Sequence, residues 1–107
     1  MIRTMSDRIP QLMKLLADDP EDADVPYMIA LEHAKADDAE AAVTWLDKTL
    51  GLDAGYHYAY YQKAKMLSAL GEDEDALAVR DAGLARAQAD GNAKAVGELQ
   101  ELRLAMQ

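Results

Sequence analysis

The sequence predicts an all-α protein: a right-handed stack of antiparallel helical hairpins with about six helices. Residues recur at an offset of 34, so that Tyr27 returns as Tyr61 and Ala42 returns as Ala76. A fixed period of this length is typical of stacked helical hairpins. Half of the residues are apolar, many of them Ala, and Phe is absent, a composition that suits close helix packing better than a sheet.

The first helix is predicted over residues 7–17, where Leu12 and Leu16 belong to an apolar stripe with helical spacing. Ser6 or Asp7 is expected to cap its first amides, since both side chains accept hydrogen bonds at helix starts. Pro20 disfavours helix at the residue before it and ends the segment.

The next two helices are predicted over residues 23–36 and 39–52. Pro26 falls in the first turn of the second helix, where a missing N–H costs little. Asp38 is expected to cap the third helix. A connection over residues 51–55 leads to the following helix.

The fourth helix is predicted over residues 56–70, followed by Gly71 as a left-handed stop. The acidic residues 72–75 then stand at the positive end of a fifth helix that runs to Ala89. Gly83 lies inside that helix and is expected to weaken it by about 0.5–1 kcal/mol relative to Ala.

Asn92 is expected to cap the sixth helix, predicted over residues 93–106 with Val96, Leu99, Leu102 and Met106 on one face. Short turns between successive helices imply antiparallel neighbours. We expect residues 1–107 to form a single domain.

Charge and composition limit the function classes. The net charge of −9 argues against nucleic acid and anionic membranes as partners, because both are bound through Lys and Arg. The chain contains no Cys, which removes disulfides and thiol chemistry. No segment approaches the length of a transmembrane helix, and the first residues lack the apolar core of a signal peptide. A cytoplasmic protein is the expectation.

The 34-residue unit of two helices, with small residues at set places, resembles the tetratricopeptide repeat (TPR). Two full units cover residues 23–56 and 57–90, preceded by a half-unit in residues 1–22 and followed by a capping helix in residues 91–107. The small residues that carry the resemblance are Ala30, Ala42, Ala64, Gly71 and Ala76. They allow two helices to approach closely.

Two departures from the pattern stand out. A further step of 34 places Lys94, Glu98 and Glu101 at apolar positions, so the repeat is expected to lose register after about Asp90. Lys63 occupies the place of the apolar Ile29 and is expected either to extend its ammonium to solvent or to mark a rotated packing.

The resemblance implies that the first helices of successive units line a concave groove. Its side chains would be Tyr27, Met28, Leu31 and Lys35 from the second helix and Tyr58, Tyr61, Gln62, Lys65 and Ser68 from the fourth. Tyrosines offer the contact area that is enriched at binding hot spots, and lysines suit a carboxylate. Alternatively these are partly exposed surface residues, or the C-terminal helix or a second copy fills the groove.

The implied function is a protein–protein interaction module that binds a peptide segment of an unidentified partner. Two alternatives remain: a self-associating structural protein, or a small acidic chaperone that holds a client. Some family members grip the C-terminal carboxylate of chaperones through Lys, Asn and Arg side chains. Tyr27 and Leu31 stand where that set would begin, so this partner is not expected.

No catalytic, metal or cofactor site is expected. Ser6 and Ser68 have no base beside them in the sequence, and no phosphate-binding loop is present. His33 and His57 are too few for a zinc site. His33 occupies the position of Leu67 and is expected to be a semi-buried, hydrogen-bonded core residue.

Overall fold

The structure is a computed structural model that describes residues 8–105, with side chains through residue 102. Within that range it contains six α-helices, the class and number predicted from the sequence. The expected cap of the first helix by Ser6 or Asp7, and the expected place of Met106, lie outside the described residues.

The helix bounds differ from the predicted ones by no more than about one residue. The connection predicted over residues 51–55 is wrong in its first half, because Gly51 and Leu52 still belong to the third helix. The helices are α1 Arg8–Asp18, α2 Asp24–Lys35, α3 Ala39–Leu52, α4 His57–Ala69, α5 Asp73–Ala89 and α6 Ala93–Ala105.

Each helix packs against the next one in the chain, most extensively α2 against α3 and α4 against α5. Packing of α3 against α4 joins these two hairpins, and α6 packs against α5 and to a smaller extent α4. The result is the predicted right-handed stack of antiparallel hairpins. The small repeat residues Ala30, Ala42, Ala64 and Ala76 are all fully buried, as close helix packing requires.

The turns confirm the predicted caps and add one feature. The side-chain oxygens of Asp38 and Asn92 accept hydrogen bonds of 3.1 Å from backbone amides in the first turns of α3 and α6. Gly71 has the expected left-handed conformation, with φ of +80°. Asp37, which is its equivalent one repeat earlier, adopts φ of +60° without being glycine. An aspartate in this region is strained, although less so than most residues.

Among the described residues, buried apolar side chains form three clusters along the chain, and the repeat relates these clusters. Val25, Ala59 and Ala95 hold equivalent buried places, the first two separated by 34 residues and the last two by 36. Ala93, which is 34 residues after Ala59, is exposed, so the 34-residue register is lost after α5 as expected, and a spacing of 36 residues replaces it at this buried place. The clusters are Leu12–Val25–Ile29, Ala30–Leu46–Ala59 and Ala87–Ala95–Leu99.

Gly83 has a packing role that sequence reasoning missed. A Cβ built on Gly83 would lie 2.5 Å from Cβ of Tyr60, so α4 and α5 approach closely only because this position has no side chain. In the preceding unit the equivalent places hold Pro26 and Thr49, both fully buried. From the first unit to the second, Pro26 on the first helix is thus replaced by the larger Tyr60, and Thr49 on the second helix is replaced by the smaller Gly83.

Arg80 is the second residue that sequence reasoning missed. It lies 34 residues after Leu46, which itself lies 34 after Leu12, and all three are buried in the core. Only 2% of Arg80 is exposed. Its Nε lies 3.3 Å from Oδ1 of Asp81 but makes no hydrogen bond within the described part of the chain. Comparing repeat positions 12, 46 and 80 would have revealed a charge at a leucine site.

Lys63 extends its ammonium towards solvent, which was the first of the two possibilities expected for this residue. Its ammonium lies 2.6 Å from Oδ1 of Asp47, and about a quarter of the side chain is exposed. The contact joins α3 to α4. It gives the ammonium of Lys63 an anionic partner at a repeat position that is apolar in the preceding unit, where it is Ile29.

Candidate functional site

The nine side chains predicted to line the groove lie on one stripe of α2 and one stripe of α4. Their spacing of three, four and seven residues keeps each set on a single helix face. The two lysines are exposed and the other seven side chains are half-buried. A ligand can therefore reach this surface, and packing restricts the motion of most of its side chains. The residues are Tyr27, Met28, Leu31, Lys35, Tyr58, Tyr61, Gln62, Lys65 and Ser68.

Side chains of α2 and α4 meet on this surface. The side chain of Gln62 lies close to the hydroxyl of Tyr27, and the ring of Tyr27 lies 4.9 Å from that of Tyr56, tilted by 35°. The hydroxyl of Tyr56 donates a 2.6 Å hydrogen bond to Asp24. Burial raises the pKa of Tyr27. Burial, and then the Asp24 carboxylate, raise the pKa of Tyr56, so both hydroxyls stay protonated at neutral pH.

The two predicted lysines differ in their surroundings. Lys65 lies over the ring of Tyr61, with Nζ 5.7 Å from the ring centroid. This geometry leaves the ammonium able to pair with an incoming anion. Lys35 lies 3.2 Å from the buried carboxylate of Glu32, which also contacts Arg8. Lys35 therefore already has an anionic partner, and Lys65 is the better candidate for binding a carboxylate.

The structure adds a third helix, α6, to this surface and shows that two of the nine side chains also pack against the core. The hydroxyl of Tyr58 donates to Glu98 of α6 at 3.3 Å, a contact that the sequence did not predict because the repeat register shifts before α6. Met28 packs against the first core cluster and Tyr61 against the third. These two residues therefore contribute to folding as well as to the surface.

His33 and His57 have different roles. His33 is 8% exposed, as expected for a core position, but its Nδ1 has no hydrogen-bond partner within the described residues. The expectation of a hydrogen-bonded histidine is therefore wrong for this atom. The ring is buried at the repeat position that Leu67 holds one unit later.

His57 belongs to a network that joins α4 to the start of α6. Its Nε2 lies 2.7 Å from Asp90, and its Nδ1 lies 3.2 Å from the side-chain amide of Asn92. The oxygen of that amide already accepts the first-turn amide of α6, so its nitrogen must donate to Nδ1. The neutral ring then carries its proton on Nε2 and donates to Asp90. Arg86 also donates to Asp90, at 3.1 Å.

Within residues 8–102, no three acidic or histidine side chains are placed to hold a metal ion together. None of the helices, as far as they are described, combines the length and the apolar character needed to cross a membrane.

The fold and this surface define the chain as a helical-repeat protein, an α-solenoid built of stacked hairpins. Neither a protein-family model nor a curated protein matches its sequence. A tetratricopeptide repeat domain protein from Salinibacter ruber is 32% identical and aligns with a TM-score of 0.73 over 82% of this chain and 89% of its own. The chain belongs to the tetratricopeptide repeat family.

Two other solved structures resemble the fold. A protein from Bordetella parapertussis is 25% identical, with a TM-score of 0.82 over 95% of this chain and 89% of its own. The first TPR domain of Spaghetti, bound to an HSP90 peptide, is 21% identical, with a TM-score of 0.74 over 92% and 78% of the two chains. At that identity the likeness is one of fold alone.

Proposed function

We propose that this domain binds a peptide segment of a partner protein along the surface that α2 and α4 form, and that its role is binding and not catalysis. The contact residues are the nine named above. The observation that carries the proposal is the row of half-buried tyrosines, Tyr27, Tyr58 and Tyr61, on two helices whose side chains meet where Gln62 lies close to the Tyr27 hydroxyl. Rigid, half-buried aromatic side chains dominate the energetics of many interfaces.

The charge of the surface favours a peptide with a carboxylate. Lys65 offers an exposed ammonium above the Tyr61 ring, in a protein whose net charge is −9. A local positive charge in an acidic protein selects an acidic group at that point and repels other cations. We therefore propose that the ligand places an Asp, a Glu or a chain terminus against Lys65.

A peptide as the ligand class is supported by the Spaghetti domain, which shares the fold and holds an HSP90 peptide. Because Tyr27 and Leu31 stand where the chaperone-binding set of the family would begin, we propose a different peptide for this chain.

The test compares Lys65→Glu with the control Lys48→Ala, which removes an exposed lysine of α3 that lies near Trp45. Each domain is immobilised, and proteins captured from a lysate of the source organism are identified by mass spectrometry. Proteins held by the wild type and by Lys48→Ala but lost with Lys65→Glu would support the proposal. An unchanged set of captured proteins would refute it.

Light scattering after size exclusion addresses the alternative of self-association. If the wild type is a dimer and Lys65→Glu is a monomer, the occupant of the surface is a second copy of the chain. Tyr61→Ala is a less suitable variant here, because Tyr61 also packs against the core.

A further inference from the structure

A second surface lies on the opposite side of α4 from Tyr61 and Lys65. Here α3 and α5 both pack against α4 but hardly contact each other, and the gap between them is a cleft. Two open cavities of about 500 and 380 Å³ lie along it, and a third of about 320 Å³ adjoins them between the α2–α3 turn and the end of α4. Neighbouring cavities share lining residues, so the surface is continuous. We call this surface the α3–α5 cleft; Glu40, Val43, Leu67, Leu70, Glu72 and Val79 line it.

The floor of the α3–α5 cleft is apolar and partly open to solvent. Leu70 is 38% exposed, so part of this floor is in contact with water. Val43 and Val79 are half-buried on the facing walls, and Leu67 lies beneath them. A ligand with its own apolar stripe would remove this surface from water.

Both walls of the α3–α5 cleft carry carboxylates: Glu40 and Asp47 from α3, Asp75 from α5, and Glu72 just before it. Asp37 and Asp38 add two more at one end. The cation that lines the cavities is Lys63, which is already paired with Asp47. Among the described residues, Glu40, Glu72 and Asp75 make no ion pair. The cleft therefore combines an apolar floor with an unneutralised acidic rim.

We propose that the α3–α5 cleft is a second docking surface, which takes a basic amphipathic helix of a partner protein. The apolar stripe of that helix would lie on Val43, Leu70 and Val79, and its Lys or Arg side chains would reach the carboxylates on the two walls. Helix-in-groove recognition uses this arrangement of apolar anchors and flanking charge. Residues 40–47 of α3 span about 10 Å of helix, enough to contact roughly two turns of a ligand helix.

This surface is separate from the proposed peptide surface in both position and charge. Tyr61 and Lys65 point away from Lys63 and Leu67 on the same helix, because two residues along a helix rotate the side chain by about 200°. One surface offers an ammonium to a carboxylate, whereas the other offers carboxylates to cations. A single protein could therefore hold two partners of opposite charge.

The test is an NMR titration of the ¹⁵N-labelled full chain with a synthetic peptide of about 14 residues, capped at both ends, in which Leu is spaced three and four apart and the other residues are Lys. Saturable shifts should concentrate on amides of residues 40–47, 67–72 and 75–79. Two control peptides keep the length: one shuffles the same residues so that Leu forms no stripe, and the other replaces Lys by Glu. Both should bind at least about tenfold more weakly, since the first lacks the apolar stripe and the second lacks the positive charge.

Variants locate the binding site. Glu40→Gln with Glu72→Gln should weaken binding of the Leu–Lys peptide about fivefold, because rim charges set electrostatic attraction. The matched control, Glu21→Gln with Glu101→Gln, removes two exposed carboxylates outside the cleft and should change the affinity less than about twofold. Ala78→Arg, at an exposed lining position, should abolish binding by filling the cleft with bulk and like charge.

The proposal is overturned if the shifts spread over the whole surface, if the shuffled peptide binds equally well, or if Ala78→Arg binds like the wild type. Lys65→Glu should leave this binding intact, so the failure of one proposed surface is distinguishable from the failure of the other. Thermal melts of each variant show whether the fold is retained.

Discussion

Gly83 and Tyr60 bring α4 and α5 together at a distance that excludes any side chain on Gly83. A Cβ there would lie 2.5 Å from Cβ and 2.9 Å from Cγ of the tyrosine. The Tyr60 hydroxyl donates to the carbonyl of Ala54 at 2.8 Å, which holds the ring in place and prevents it from moving aside. The close approach of the second hairpin thus depends on this pair.

Gly83→Ala should therefore destabilise the protein, by about 1–3 kcal/mol, through overpacking against Tyr60. This is opposite to the effect of helix propensity, by which Ala is better than Gly by about 0.5–1 kcal/mol. Gly51→Ala is the matched control: Gly51 lies inside α3, and a Cβ there would meet nothing within 4 Å. That variant should stabilise. Urea unfolding of both measures the difference, and a gain in stability for Gly83→Ala would contradict the packing described.

Arg80→Leu should raise the free energy of unfolding by about 1–3 kcal/mol, because a buried guanidinium, whose Nε makes no hydrogen bond and whose partner Asp81 is exposed, is replaced by an apolar side chain. Leucine is the residue that the two preceding units have at this place, Leu12 and Leu46. The measurement is the urea midpoint. Arg86→Leu serves as the control, since Arg86 is exposed and pairs with Asp90. A loss of stability in Arg80→Leu would show that its guanidinium has a favourable role in the core.

Asp37→Gly should stabilise the protein by about 0.5–1 kcal/mol, because glycine removes the strain of a left-handed backbone. The reciprocal variant, Gly71→Asp, places the aspartate at the equivalent turn one unit later and should cost about the same. Thermal melts of the two variants provide the measurement. Changes of the same sign in both would show that strain at this turn does not control stability.

Asp90 should make a contribution to stability that depends on pH. Its hydrogen bond with His57, and then its contacts with Arg86, lower the pKa of its carboxyl in the folded state. The contribution is therefore present above the unfolded pKa of about 4 and is lost as the pH falls through the folded pKa. Asp90→Asn should reduce the loss of stability between about pH 5 and pH 2.

Urea unfolding at a series of pH values measures this slope. Glu101→Gln is the control, since it removes an exposed carboxyl of α6 outside the network around His57. Equal slopes for the wild type and for Asp90→Asn would mean that the hydrogen bond with His57 does not persist in solution.

Much of the fold could be predicted because its signals are local. The caps at Asp38 and Asn92, and the stop at Gly71, act within one turn of chain, and the structure confirms them. The candidate site was predictable only in part. The stripes on α2 and α4 follow from helical spacing, but the contact of Tyr58 with Glu98 depends on a two-residue shift of register that α5 introduces. The nine proposed contact residues stay a prediction until binding is measured.

The sequence by itself determined the helix class, the 34-residue period and the family, since each depends on residues that are close along the chain or repeated at a constant offset. Only the tertiary structure decided the roles of Gly83 and Arg80 and the existence of the α3–α5 cleft. The physical reason is that packing balances volume and charge between different helices. A tyrosine on α4 requires a glycine on α5, and a cleft forms where two helices share a neighbour but hardly contact each other.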